Sequence, residues 1–174
     1  MTCVPIGMLI ISVTNLKKLT HKIIHMNWTK EQLDAAWNKA REVEDRDKNK
    51  YRLDAAGAMI YRDSRDNTDM AWEVDHIFPY EILDYFDVPQ DIINKDENLR
   101  AMHHSNNSSK GISFPKYSSN VEWDNYKEKN VKSSGSNTVN DKRISILRNL
   151  FEPYLGMTLE EAVQVYEDEH GIDW

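Results

Sequence analysis

The residues best suited to chemistry lie in two short stretches, WEVDHIFP at 72–79 and NLRAMHHSNNSSKG at 98–111. A phosphodiester hydrolase needs a hard cation to neutralise charge gathering on the phosphate and to stabilise the leaving oxygen. It also needs a base that accepts a proton from water near neutral pH, where a histidine ordinarily titrates. Asp75 and His76 supply one hard oxygen ligand and one base, side by side. Neighbours on an extended strand point to opposite sides, so Asp75 can face a metal while His76 faces the attacking water. Asn107 can add a neutral amide oxygen from a facing helix. So sparse a shell suits Mg²⁺, which keeps several waters and takes its other ligands from substrate phosphate. The same oxygen set also admits Mn²⁺ or a transition metal, so the identity of the single divalent ion stays open. Taken singly, each residue has a plainer reading. An Asp-His pair in a strand is commonly structural, Asn98 and Asn107 are ordinary turn or capping residues, and Lys110 alone is a solvated charge.

These side chains need elements to position them. The run Trp72–Ile77 alternates and is rich in strand formers, and Pro79 ends it. Leu99–Met102 is a further strand, and His104–Lys110 is a short polar helix closed by Gly111. Between them, residues 80–95 hold a short helix around Ile82, Leu83, Tyr85 and Phe86. Upstream, TKEQ at 29–32 is a capping-box pattern, followed by Leu33, Ala36, Trp37 and Ala40 at helical spacing, which predicts a helix over Lys30–Val43. Glu44–Arg52 is almost wholly polar and reads as a solvated connection, and Ala58–Tyr61 as a short strand. Downstream, the Ser- and Asn-rich stretch 112–140 reads as an irregular wrap. Asp141–Phe151 reads as a helix, and a second capping box at Thr158–Glu161 opens another.

Residues 72–111 resemble the HNH, or ββα-metal, endonuclease motif. That motif has an Asp-His or His-His dyad at a strand end and a loop leading to an Asn-Leu step. Nine residues after that Asn comes a helical His or Asn, shortly before Lys-Gly; here the positions are Asp75-His76, Asn98, Asn107 and Lys110-Gly111. The Asp-His, Asn, Asn version is similar to that in the HNH domain of RNA-guided CRISPR nucleases and in phage junction-resolving nucleases. DAAGAMIYR at 54–62 is similar to many stand-alone bacterial and phage HNH proteins. The resemblance implies that His76 is the general base, that Asp75 and Asn107 bind the catalytic metal, and that Asn98 braces the loop orienting His76. Nicking of DNA is the minimal activity it implies. Many such proteins hold a structural zinc with paired cysteines, but the corresponding positions here carry Ala56, His103 and Asn106, so no structural zinc is expected. The glycine-rich loop common after the dyad is replaced by the acidic segment 80–97. His103, four residues before Asn107, is an additional ligand or else a packing or phosphate contact. Glu73 shares a strand face with Asp75 and either tunes the metal or is structural. Arg100 and Lys110 either hold substrate phosphate or are solvated surface charges.

Composition bounds the rest. The chain has 174 residues, 40% of them hydrophobic and 29% charged, which suits one folded domain. A lone cysteine, Cys3, excludes a disulfide framework and fits a reducing, intracellular setting. Val4–Val13 is apolar but too short to span a bilayer and has no basic residue before it, so no membrane partner is expected. Met26 opens a natural-looking start, and residues 1–25 read as a leader or a mis-assigned start. The formal net charge is -7, yet residues 98–150 carry nine Lys/Arg against four Asp/Glu, a local balance of +5. Such a basic middle suits phosphate contact, whereas a chance solvated face gives the same count. The expectation is an α+β domain over residues 26–174, with a ββα-metal core packed against N- and C-terminal helices, acting on DNA. A non-catalytic DNA-binding or packaging-associated module is the alternative, and oligomeric state is left open.

Overall fold

The computed structural model describes residues 27–64 and 68–172. The leader reading for residues 1–25, with Cys3, lies outside the described residues. Helix α1, Lys30–Asn38, starts on the expected capping box. Thr29 Oγ1 accepts from Gln32 N–H at 3.2 Å, and Gln32 Oε1 accepts from Thr29 N–H at 3.1 Å. The helix ends five residues before Val43. Lys39 turns out of it and donates to the carbonyls of Asp96 and Leu99, which pins the turn to a distant part of the chain. Burial drags this ammonium down to about 8. Ala40 continues the apolar spacing because it enters the same core as Trp37, although it is no longer helical.

Beyond the turn, β1 (Arg41–Glu42), β2 (Tyr51–Leu53) and β3 (Met59–Tyr61) form an antiparallel sheet in that order. The polar stretch Glu44–Arg52 therefore ends in a strand rather than a solvated connection. Arg52 is buried, donating to Ala40 O at 2.9 Å and Lys48 O at 3.1 Å, with its guanidinium 5.8 Å from the Trp37 ring. No periodicity marks a single arginine used this way, because its partners are mostly carbonyls, with the Glu42 carboxylate 3.8 Å away.

The central feature is the antiparallel hairpin of β4 (Trp72–His76) and β5 (Leu99–His103). Its register runs from Trp72 opposite His103 to His76 opposite Leu99. The excursion between the strands holds α2 (Tyr80–Tyr85), α3 (Gln90–Ile93) and a 3-10 turn at Asp96–Asn98. Helix α4, His104–Lys110, follows β5 directly and ends at Gly111, whose φ of 48° is a conformation that favours glycine. The hairpin is wedged between two apolar clusters. Ile77 and Met102 enter one with Phe78, Ile82, Leu83, Leu147 and Phe151, while Trp72 and Ala101 enter the other with Trp37 and Ile60.

The stretch 112–140 is not an irregular wrap. Strand β6 (Lys116–Ser118) pairs with β9 (Ser136–Thr138), and β7 (Val121–Asp124) pairs with β8 (Lys129–Lys132) in a ribbon between them. These strands are three or four residues long, and β6, β8 and β9 are made largely of Ser, Asn and Lys, so β-branched content and sustained alternation do not announce them. Helix α5, Asp141–Leu155, runs a turn past Phe151, to Gly156 at φ 68°. Helix α6, Leu159–His170, carries the second capping box as expected, with Thr158 and Glu161 bonded reciprocally. The architecture is mixed helix and sheet, α+β. Among the described residues no helix is long and apolar enough to cross a membrane.

Candidate active site

Strand alternation divides the hairpin into two faces. Glu73 and Asp75 of β4 lie with Arg100 and Met102 of β5 on the face covered by α4. Trp72, Val74 and His76 lie with Ala101 on the other, towards α1. Adjacency in sequence therefore separates Asp75 from His76 in space.

Asp75 is 4% exposed, and both of its carboxylate oxygens are engaged. Arg100 Nε donates to Oδ2 at 2.7 Å, and the Lys110 ammonium stands 3.1 Å from Oδ1. Arg100 also donates to the Tyr117 hydroxyl at 3.2 Å, with its guanidinium 4.8 Å from that ring's centre. Lys110 donates to the His76 carbonyl at 2.9 Å, and burial lowers its pKa while Asp75 opposes the shift. Arg100 and Lys110 are thus neither surface charges nor free for phosphate as the chain is folded. They are two buried cations around one buried carboxylate, an arrangement that costs desolvation and is kept only while all three partners stay together.

His76, on the opposite face, is buried among aromatic rings. Its ring centre is 5.5 Å from those of Trp28 and Tyr80, and its Nε2 bonds Asn94 Oδ1 at 2.8 Å. With the amide oxygen as acceptor, the ring proton sits on Nε2 and the free lone pair on Nδ1. Burial lowers the imidazole pKa, partly offset by the Asn94 bond and the Asp75 charge, so the ring is neutral at pH 7. A neutral imidazole in a fixed orientation is what general-base chemistry requires.

Asn98 is fully buried and ties the ends of the excursion together. Its Oδ1 accepts from Phe78 N–H at 2.8 Å, while its Nδ2 donates to Phe78 O at 3.1 Å and Ile93 O at 3.2 Å. Its own carbonyl accepts from Ile77 N–H at 2.7 Å, directly after His76. Truncation to Asn98→Ala leaves one buried amide and two buried carbonyls unmet, each worth about 1–3 kcal/mol. The expected result in urea unfolding is a loss of at least that size, and an unchanged midpoint would remove the bracing role.

Asn107 donates to Glu73 Oε2 at 2.7 Å on the open edge of the α4 face. His103 is not on the helix face its spacing suggested: it ends β5 and caps α4, with Nδ1 accepting from Ser105 N–H at 3.1 Å and Nε2 donating to Asp69 O at 3.0 Å. Both nitrogens are used locally, because the helix begins one residue later than an Asn107-facing ligand would need.

Sequence reasoning missed Asp54, a buried hub. Ala56 N–H and Ala58 N–H donate to its Oδ1 at 2.9 and 2.8 Å, while His103 N–H and Asn106 Nδ2 donate to its Oδ2 at 3.1 and 3.0 Å. Three of these donors, on Ala56, His103 and Asn106, come from segments far apart in the chain. A carboxylate accepting four hydrogen bonds joins those segments here. The Asp-Ala-Ala-Gly turn was the available signal, since Asp commonly bonds backbone two residues on. Asn94, Trp28 and Tyr80 around His76 had no such signal.

As folded, this set does not form a cation site at Asp75: both oxygens already face positive groups, and Asn107 turns to Glu73 instead. Among the described residues no three His, Cys, Asp or Glu side chains converge to hold a metal. Compared with protein-family models, with curated proteins and with solved structures, the chain finds no match.

Proposed function

We propose that the chain is a divalent-metal-dependent endonuclease of the HNH type that hydrolyses DNA phosphodiester bonds. The observation that carries this reading is His76: a neutral, buried imidazole at a strand end, oriented by Asn94, with Asn98 bracing the loop that follows. Asp75 and His76 end β4, Asn98 closes the 3-10 turn just before β5, and Asn107 lies in α4, a chain order that supports this reading. In the reaction, the His76 lone pair takes a proton from water, the water oxygen bonds phosphorus, and the bond from phosphorus to the leaving sugar oxygen breaks, that oxygen keeping the electron pair and taking a proton from solvent water. A divalent ion, when bound, would neutralise charge on the phosphate. The oxygens not already facing a cation on the α4 face are those of Glu73 and Asn107, and Asp75 joins them only by giving up Arg100 or Lys110.

A second reading, a nucleic-acid-binding module without turnover, is favoured by two specific features. Asp75 is neutralised by its buried cations, and His76 is covered by Trp28 and Tyr80. Incubating supercoiled plasmid with the purified chain in Mg²⁺, in Mn²⁺ and in chelator separates the two. Nicking in either metal that chelator abolishes is the expected result. Plasmid binding without nicking selects the second reading, and the absence of both removes each.

A further inference from the structure

The ribbon of β7 and β8 is fastened to the body of the protein along its length. Asn106 of α4 accepts from Val121 N–H at 2.9 Å and donates to Val121 O at 3.0 Å. Trp123 N–H donates to Gly57 O at 2.9 Å. The Asn130 amide brackets Met59, accepting from its N–H and donating to its carbonyl, both at 2.8 Å. The Arg46 guanidinium adds a contact 5.3 Å from the Trp123 ring centre. The tip is equally determined. Asp124 Oδ1 accepts from the N–H groups of Tyr126 and Lys127 at 2.9 and 3.0 Å, and Glu128, at φ 49°, closes the turn.

This framework holds up a tyrosine in water: Tyr126, at the tip, is 101% exposed, against 49% for Tyr154, the next most exposed large apolar side chain among the described residues. Covering an aromatic face is favourable, so a rigid mount that leaves it bare keeps that gain for a partner. The charges around it point to the partner's chemistry. Asp124 is paired with Lys127 at 3.3 Å and Glu128 with Arg46 at 3.8 Å. Lys129 and Lys132 along β8 are exposed and have no ion-pair partner among the described residues, against the single such acid Glu122 on β7. The register sets Lys129 opposite Asp124 beside the tip and Lys132 opposite Val121 at the root, so the two ammonium groups lie on opposite faces of the ribbon. An exposed ring with a free ammonium group on either face matches a strand of nucleic acid that crosses the ribbon, its bases stacking and its phosphates anionic.

We propose that the ribbon is a nucleic-acid arm in which Tyr126 stacks on an unpaired base while Lys129 and Lys132 take flanking phosphates. The inference rests on the DNA substrate proposed above. The first residue of the arm, Val121, is held by Asn106, the neighbour of Asn107 on α4, so the arm is tied to the helix that carries the proposed site. The test is titration of a single-stranded oligonucleotide containing 2-aminopurine with the full chain. Wild type and Tyr126→Phe are expected to quench its fluorescence. Tyr126→Ala is expected to bind about tenfold more weakly or worse, without quenching. Lys129→Ala and Lys132→Ala should each flatten the salt dependence by about 0.7 in log–log slope. Equal affinity and equal quenching by Tyr126→Ala overturn the arm, as does a wild type that binds no strand. Plasmid nicking by the same proteins keeps the two ideas apart. Binding and quenching without nicking remove the nuclease and keep the arm, whereas normal nicking with an indifferent Tyr126→Ala does the reverse.

Discussion

Replacing His76 by alanine is expected to lower the rate of metal-dependent DNA nicking by about 10²–10⁴-fold, the usual effect of removing a general base. The loss should appear at saturating DNA, with binding affinity little changed, because the imidazole acts on water rather than on the duplex. Burial holds the ring neutral below its ordinary range. Activity should therefore persist as pH falls through about 6.5, the free imidazole value, and decline only at lower pH. His76→Gln, which keeps polarity but cannot take up a proton in this range, should be as slow as His76→Ala. Either variant cutting at the wild-type rate would remove His76 from the chemistry, and with it the main support for the nuclease.

The second large effect concerns stability. Asp75→Ala is expected to destabilise the fold by about 3–5 kcal/mol, because it leaves Arg100 and Lys110 buried without a counter-charge. If Asp75 served only as a metal ligand, its removal would abolish cutting and leave the unfolding midpoint near wild type. Urea unfolding without added metal reads the difference directly. The same reasoning predicts non-additivity. With Asp75→Leu, Arg100→Met and Lys110→Met combined, no buried charge is stranded, and most of the lost stability should return. A triple variant weaker than Asp75→Ala would show that the cluster contributes more through its hydrogen bonds to Tyr117 and the His76 carbonyl than through charge balance.

Asn98 shows how a local reading and a tertiary one can meet. From sequence it is either a turn residue or a brace for the loop after His76, and its side-chain bonds to Phe78 and Ile93 make it a brace across the excursion. His103 shows the opposite. A spacing of four predicts a shared helix face with Asn107 only if both residues are helical, and His103 is the last residue of β5. The single-residue offset turns a possible ligand into a cap.

What the sequence determined by itself were features completed within a few residues. The capping boxes at Thr29 and Thr158, the alternation of Trp72–His76, and the helix His104–Lys110 stopped by Gly111 all depend on neighbours along the chain. Capping, periodicity and backbone preference act locally, so they can be read locally. Only the tertiary structure decided which charges are buried and what they face. Asp75 meets Arg100, 25 positions away, and Lys110 meets the His76 carbonyl from 34 positions away. The pairing of β6 with β9 likewise joins residues about 20 positions apart, across a ribbon that is itself fastened to α4. Burial and pairing of polar groups depend on what lies across the fold, and neither the type of a residue nor its spacing carries that information.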